Sequence, residues 1–106
     1  MNRAVFLTNR AEQDRDQAYD WYRDNYSEEF AQRWYNGLQE KLLTLADHPH
    51  RCPIARENNL FPFEVREVLY GKQRKNHRVL FTIRAETVAI LHIRHTAQLD
   101  ITEEEL

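Results

Sequence analysis

The sequence predicts an α+β fold: a short N-terminal strand, an antiparallel helical hairpin, and then a three-stranded antiparallel meander that completes one sheet. Two patterns predict this order. In the first half of the chain, apolar residues recur every three or four positions, as on the buried face of a helix. From residue 63 to residue 95, apolar β-forming residues instead alternate with polar ones in three runs, as in adjacent antiparallel strands.

Length and composition place the chain among compact proteins with one domain. With 106 residues and 42% apolar content it can bury a single core, which we assign to residues 1–99, followed by an acidic tail over residues 100–106. No apolar run approaches the roughly 20 residues of a membrane span, and the single cysteine cannot form an internal disulfide, so we expect a cytoplasmic protein without membrane association. Gly37 and Gly71 are the only glycines, which excludes a glycine-rich phosphate loop, and we expect no cofactor.

The N-terminal half contains the first strand and both helices. Residues 4–7 form a brief strand, and residues 10–25 carry apolar side chains at helical spacing. Ser27 is a good N-cap for a second helix, because two glutamates then lie in the first turn, where the helix dipole favours anions. Pro49 stops that helix. The short connection predicts an antiparallel hairpin over residues 10–46.

Residues 47–62 show no convincing periodicity and predict a long loop, a kind of segment that is often functional in a small domain. His48, His50 and Cys52 alternate within it, and three such side chains can hold zinc. Two prolines constrain the segment, however, and no fourth ligand lies nearby in the sequence. We therefore expect no metal site.

The pairing of the last two predicted strands follows from their turn. If Ala85 and Glu86 are the two central turn residues, Arg78 lies opposite Ile93 and diagonal to His95. One face then carries the larger apolar groups and should pack on the helices; it consists of Val79, Phe81, Ile83, Val88, Ile90 and His92. The other face is expected to be uncovered. It carries Arg78, His95 and three apolar residues that we expect to be exposed, Leu80, Leu91 and Ile93.

Positive charge is concentrated at the first turn of the meander and at the strand ends. Residues 1–47 have a net charge of −3, residues 48–99 of +5 and residues 100–106 of −4. A basic sheet joined to an acidic helical half can orient a polyanion or an acidic partner. The predicted target-binding residues are Arg66, Lys72, Arg74, Lys75, His77, Arg78, Arg94 and His95.

Three segments of the sheet carry a resemblance to a known family. They read Val-Arg-Glu-Val-Leu-Tyr-Gly from Val65 to Gly71, His-Arg-Val-Leu-Phe-Thr-Ile from His77 to Ile83, and Val-Ala-Ile-Leu-His-Ile-Arg-His from Val88 to His95. In order and spacing they resemble the RelE/ParE superfamily of small toxins, and the likeness covers nearly the whole chain. The resemblance implies the toxin of a type II toxin-antitoxin module, neutralised by a cognate antitoxin whose flexible segment wraps the toxin.

The resemblance implies one of two activities: cleavage of messenger RNA on the ribosome, as in RelE-like members, or non-enzymatic inhibition of DNA gyrase, as in ParE-like members. RNA cleavage through the 2′-hydroxyl needs a base, an acid and cations that stabilise the phosphorane. Arg78 matches the strand arginine of the RelE type, and Arg66 and the cluster from Lys72 to Lys75 are candidates to hold the phosphate. The candidate acids are His77 and His95, and the candidate bases are Glu64 and Glu67.

Gyrase inhibition is the favoured prediction. The tyrosine or histidine expected near the C-terminal end of a ribonuclease member has no clear counterpart, since the chain passes from His95 into an acidic tail. The hairpin of about 37 residues and the Arg-Glu-Val-Leu-Tyr-Gly motif resemble the ParE type. A nucleic-acid-binding module without toxic activity also fits the charge segregation. For the antitoxin, we expect an acidic segment that folds over Leu80, Leu91 and Ile93 and masks Arg78.

Overall fold

A computed structural model, which describes residues 2–71, 76–96 and 101–105, shows one four-stranded sheet with a helical hairpin on one face. The elements in chain order are β1 (Ala4–Leu7), α1 (Asn9–Asn25), α2 (Glu28–Leu43), β2 (Arg66–Tyr70), β3 (His77–Ile83) and β4 (Thr87–His95). The strand order is β1-β4-β3-β2, with β1 parallel to β4 and the other pairs antiparallel. The predicted α+β fold is confirmed.

Both helices begin at side-chain caps. The hydroxyl of Thr8 accepts a hydrogen bond from the Ala11 N–H at 3.3 Å, and that of Ser27 accepts one from the Phe30 N–H at 3.0 Å. Two residues separate the helices, and ring contacts such as Tyr22–Trp34 and Tyr19–Tyr35 show that they run antiparallel. The predicted hairpin is therefore confirmed. Within the described ranges, no helix is long and apolar enough to cross a membrane.

The long predicted loop is built from short 3-10 turns. Residues Thr44–Ala46 continue α2 as one such turn, and Pro49–Arg51 and Arg56–Leu60 form two more. The loop then pairs with the edge of β2, where the Ala55 N–H donates to the Val65 carbonyl at 2.9 Å. This pairing holds the loop beside the sheet, on the side away from β1.

The main hydrophobic core lies between the hairpin and one face of the sheet. The helices contribute Ala11, Tyr22, Ala31, Trp34, Leu38 and Leu42, and the strands contribute Val79, Phe81, Val88, Ile90 and Ile93. Ile83 packs at the margin of this core. The predicted helix-facing set is thus confirmed except for His92.

The opposite face of the sheet is also covered, so the prediction of an uncovered face is wrong. A second core on that face consists of Ala55, Val65, Leu80 and Ile101, with Phe61 and Leu91 packed against it. Its cover comes from the long loop and from the C-terminal segment. Neither segment has a periodic apolar pattern, which is why the sequence did not indicate the cover.

The predicted pairing of β3 with β4 is right near the turn and wrong beyond it. Phe81 pairs with Ile90, as the assumed turn requires. The register then shifts by one residue between Leu80 and Phe81, because Leu91 is an extra residue in β4. A one-residue shift in register moves every following side chain to the other face of the sheet.

The bulge reassigns the last residues of β4. Arg78 pairs with Arg94 and not with Ile93, and Ile93 joins the core under the hairpin. His92 lies opposite Leu80 on the second face, with its ring 6.3 Å from that of Phe61, so its predicted place under the helices is wrong.

A side chain from α1 completes the edge of β4. β1 pairs with β4 only as far as Ile90. Beyond that point the Ile93 N–H donates to Oδ2 of Asp14 at 2.9 Å, and Nε of Arg10 donates to the other carboxylate oxygen at 2.9 Å. Helix α1 is thereby fixed to the strand end that carries most of the predicted site residues.

Gly37 allows β2 to approach α2 closely, which gives a testable prediction. The Tyr70 hydroxyl donates to the Trp34 carbonyl at 2.9 Å, and a Cβ at Gly37 would collide with that hydroxyl. We expect Gly37→Ala to lower the free energy of unfolding by about 1–3 kcal/mol. In a Tyr70→Phe background the loss should shrink, because the clashing oxygen is gone and alanine favours a helix by about 1 kcal/mol.

Urea unfolding of all four proteins in this double-mutant cycle measures the effect. An equal loss in both backgrounds would show that the Tyr70 hydroxyl is not what excludes a side chain at position 37.

Candidate functional site at the ends of β3 and β4

Most of the predicted target-binding residues that the structure describes lie at one end of β3 and β4. His77 pairs with His95, and Arg78 pairs with Arg94. Because successive side chains of a strand point to opposite faces, the two histidines face the hairpin and the two arginines face the second core. The rest of the predicted cluster, Lys72, Arg74 and Lys75, lies outside the described residues.

Arg78 is buried and bound to two carboxylates. Its Nη1 and Nη2 donate to the two oxygens of Glu57 at 2.8 and 2.7 Å, and Nη2 also donates to Glu67 at 2.7 Å. Glu57 belongs to a 3-10 turn of the loop and Glu67 belongs to β2. The Ile101 N–H donates to the same Glu57 carboxylate at 3.4 Å. One guanidinium therefore connects β3, β2, the loop and the C-terminal segment.

This pairing fixes the charge of both partners. Hydrogen bonds from Arg78 hold the pKa of Glu57 down to about 2, although burial acts to raise it. The bonds to Glu57 also raise the pKa of the Arg78 guanidinium above its ordinary value. Both groups therefore stay charged at neutral pH. Removing Arg78 would leave the buried carboxylate of Glu57 without its counter-ion, whereas removing Glu57 would leave Arg78 paired with Glu67.

The positive charge of Arg94 is compensated by a glutamate of the acidic tail. Its Nη1 donates to Oε2 of Glu105 at 2.7 Å, and Nη2 of Arg10 lies 3.5 Å from the same oxygen. The hydrogen bond from Arg94 lowers the pKa of Glu105. The Thr102 N–H donates to the other Glu105 oxygen at 3.4 Å, as in a capped helical turn. The tail thus covers a cation that the sequence suggested for target binding.

His77 and His95 form a pair on the hairpin side. Their ring centroids are 5.3 Å apart with the planes at 82°, and His77 also packs 5.2 Å from Trp34. Burial lowers the pKa of His77 to about 4, and His95 acts in the same direction. His77 is therefore neutral at pH 7, whereas His95 is exposed at the end of β4.

Arg66 lies at the far end of β2 from this pair. Its Nε donates to Glu64 at 2.9 Å, and its Nη1 donates to the carbonyls of His50 and Cys52 at 3.1 and 2.6 Å. Arg66 pairs with Phe81, four residues along β3 from His77, a separation of about 13 Å. A phosphate held by Arg66 is thus out of reach of the histidine pair.

The predicted catalytic groups are not brought together among the described residues. The expectation that Arg78 and His95 share a face is wrong, because the bulge at Leu91 places them on opposite faces. Both candidate bases are bound to arginines: Glu64 to Arg66 and Glu67 to Arg78.

The apolar residues predicted to bind an antitoxin differ in accessibility. Leu80 has no exposed surface and Ile93 is 4% exposed, so the expectation that they are exposed is wrong. Leu91 is partly exposed, at the bulge. The cause is the cover over the second face for Leu80 and the register shift for Ile93.

The three alternating loop residues His48, His50 and Cys52 do not share one environment. His48 has a left-handed backbone with φ of 51° and its Nδ1 lies 3.0 Å from Asp47, while Cys52 is buried and His50 is exposed. In the part of the chain that the structure describes, no group of three or more histidine, cysteine or acidic residues is placed to hold a metal ion.

Sequence reasoning missed the acidic partners of the strand arginines. Glu57 lies 21 residues before Arg78, in a loop without periodicity, so no local pattern links them. The sequence of the C-terminal tail does contain a local pattern that indicates an ordered turn. Thr102 and Glu105 have capping-box spacing, and Ile101 is an apolar residue just before three consecutive glutamates, which together indicate a docked turn.

The structure is similar to a solved structure titled "Chromosomal ParDE TA system from P. aeruginosa", with a TM-score of 0.71 and 22% identity, covering 88% of this chain and 95% of that chain. At this identity the likeness shows the fold alone. A search of curated proteins found no match.

The family follows from the sequence as a whole. The model of the family described as "ParE toxin of type II toxin-antitoxin system, parDE" matches residues 5–100. The chain therefore belongs to the ParE toxin family and is a ParE-type toxin of a type II toxin-antitoxin system. Such a module implies an antitoxin partner.

The Glu57–Arg78 pair predicts how stability depends on pH. The folded-state pKa of Glu57, about 2, lies below its ordinary value of 4.5, so the carboxylate stabilises the fold above pH 4.5 and this contribution is lost as the pH falls toward 2. We expect Glu57→Gln to lower the free energy of unfolding at pH 7 by about 3 kcal/mol and to flatten its decline over that pH range.

Urea unfolding between pH 7 and pH 2 measures this, with the exposed turn variant Glu86→Gln as the matched control. Similar profiles for the two variants would contradict a stabilising role for the buried carboxylate.

Proposed function

We propose that this ParE-type toxin arrests growth by binding and inhibiting DNA gyrase. The observation that carries the proposal is the state of Arg78, the arginine that resembles the strand arginine of the ribonuclease type. It is buried and engaged by Glu57 and Glu67, so it serves to hold the loop on the sheet. A transition-state cation must face the place where charge develops on the substrate, whereas the guanidinium of Arg78 is bound to two carboxylates of the protein itself.

The separation of the remaining groups supports the same conclusion. General acid-base cleavage needs an acid and a base within hydrogen-bonding reach of one phosphodiester. Here Arg66 and Glu64 lie at one end of β2, and the pair His77–His95 lies about 13 Å along the sheet. Inhibition by binding needs no such convergence, only a surface complementary to the target.

Ribosome-dependent RNA cleavage remains the alternative because of the histidine pair. His95 is exposed, and its ring lies 5.3 Å from that of His77. In that alternative His95 is the candidate acid and the target is messenger RNA on the ribosome. A non-toxic nucleic-acid-binding role has less support, because Arg66, Arg78 and Arg94 are engaged by carboxylates.

Two parallel assays and one variant test the proposal. Purified toxin is added to gyrase with relaxed plasmid, and separately to translating ribosomes with messenger RNA. We expect supercoiling to be inhibited without RNA present and the message to stay intact. For His95→Asn, we expect growth arrest to weaken only as far as gyrase affinity falls, because a residue that acts by contact alone contributes about 1–3 kcal/mol to an interface.

Loss of a catalytic acid would instead reduce message cleavage by about 10² to 10³-fold. Arg84→Ala, beyond the opposite end of β3, is the control with unchanged toxicity. Cleaved message with normal supercoiling would overturn the proposal and make His95 a catalytic residue.

The contact surfaces remain proposals. We propose that the target contacts the exposed His95 together with Lys72, Arg74 and Lys75, which lie outside the described residues. Of the three predicted antitoxin contacts, Leu91 is partly exposed. An antitoxin could reach Leu80 or Ile93 only by displacing the loop or the helices that cover them. An acidic partner segment would compete with Glu105 of the tail for Arg94 at this end of the sheet.

Substitution of Leu91 tests the antitoxin surface. We expect Leu91→Ser to weaken binding of the cognate antitoxin by about tenfold, since loss of a buried apolar anchor costs more than 1 kcal/mol. Leu43→Ser, an exposed leucine on α2, should leave affinity unchanged. The reverse pattern, measured by calorimetry on folded variants, would place the antitoxin on the hairpin.

A further inference from the structure

The point where α1 meets α2 exposes large aromatic side chains. We define the hairpin tip as residues 20–30. Trp21 is 54% exposed and Tyr26 is 63% exposed, while Phe30 is partly buried beside them. Aromatic side chains of this size normally contribute to cores or interfaces, and an exposed cluster of them marks a surface that binds a partner.

The exposed rings are held in place by the core. Tyr26 stacks on Phe30 with centroids 4.9 Å apart, and Trp21 lies 5.8 Å from Tyr26 and 5.3 Å from Tyr22. Tyr22 in turn packs 5.3 Å from the buried Trp34. A ring that is already fixed loses little side-chain entropy when a partner binds, so this surface is organised in advance.

The hairpin tip is also negatively charged. Residues 20–30 contain four carboxylates and a single guanidinium, a net charge of −3. That guanidinium, Arg23, lies 3.3 Å from Asp20 and 3.2 Å from Asp24. Glu28 and Glu29 are exposed on the first turn of α2. Aromatic faces and carboxylates together form a surface that attracts cations.

We propose that the hairpin tip binds an arginine-containing, basic segment of a protein partner. Guanidinium groups stack on the faces of Trp21 and Tyr26, and the surrounding carboxylates accept their hydrogen bonds. Grooves of about 750 and 510 Å³ open on either side of Tyr22, the first bordered by Phe30 and the second by Trp21, so a chain segment can continue from the tip along either groove. The inference goes beyond the proposed function and does not depend on gyrase being the target.

Charge argues for this occupant over others. A polyanion is repelled by a surface with net charge −3. A wholly apolar partner would desolvate the exposed carboxylates of Glu28 and Glu29 without supplying a hydrogen-bond donor to them, which is costly. A second copy of this chain, which has its own basic half, is a different occupant that the experiment distinguishes.

The test uses the full-length protein and a fluorescent nine-residue peptide of alternating arginine and glycine, with binding measured by anisotropy. We expect Trp21→Ala and Tyr26→Ala each to weaken binding by about 5- to 30-fold, the loss of one desolvated cation–π contact. Asp24→Asn and Glu28→Gln should weaken it less, and added salt should reduce the difference. Leu43→Ala, at a residue 55% exposed, should bind like the unmodified protein.

A peptide with citrulline in place of arginine has nearly the same shape but no charge. We expect it not to bind. Equal binding of the citrulline peptide, or unchanged affinity in Trp21→Ala with a normal circular dichroism spectrum, would overturn the proposal. Self-association that Trp21→Ala abolishes in sedimentation velocity would also overturn it, because the occupant would then be a second copy.

Discussion

The second face of the sheet depends on the buried guanidinium of Arg78. Glu57 brings the loop to it, Glu67 belongs to the neighbouring strand, and the Ile101 N–H reaches the same carboxylate. The second hydrophobic core can therefore be small, because the ion pairs of Arg78 also hold the loop against the sheet. Arg78 therefore has a structural role, because it joins the loop and two strands of the sheet.

The helices and the start of the β3–β4 pairing could be predicted from the sequence because the patterns that specify them are local. Ser27 caps a helix whose apolar stripe runs through Trp34 and Leu38, and those residues are indeed buried. The pairing of Phe81 with Ile90 also followed from the turn alone. Beyond that pair the register depended on one extra residue, Leu91, and no residue type in the strand marks it as a bulge. Packing, not propensity, selects that position.

The candidate site was less accessible to sequence reasoning than the fold. His77, Arg78, Arg94 and His95 do lie together at one strand end, but the chemical state of the two arginines depends on carboxylates from distant segments. Glu57 and Glu105 reach Arg78 and Arg94 only after the loop and the tail have folded over the sheet. Charge counted along the chain therefore overstated the positive surface, since a cation paired with a carboxylate contributes little to the external field.

The parallel pairing of β1 with β4 has a consequence for biosynthesis. Ala4 is aligned with Thr87, so the first strand to leave the ribosome finds its neighbour only when most of the polypeptide has been made. Closing so large a loop is slow and contributes late in folding. During translation the nascent toxin therefore lacks its finished sheet until β4 has been made and has paired with β1.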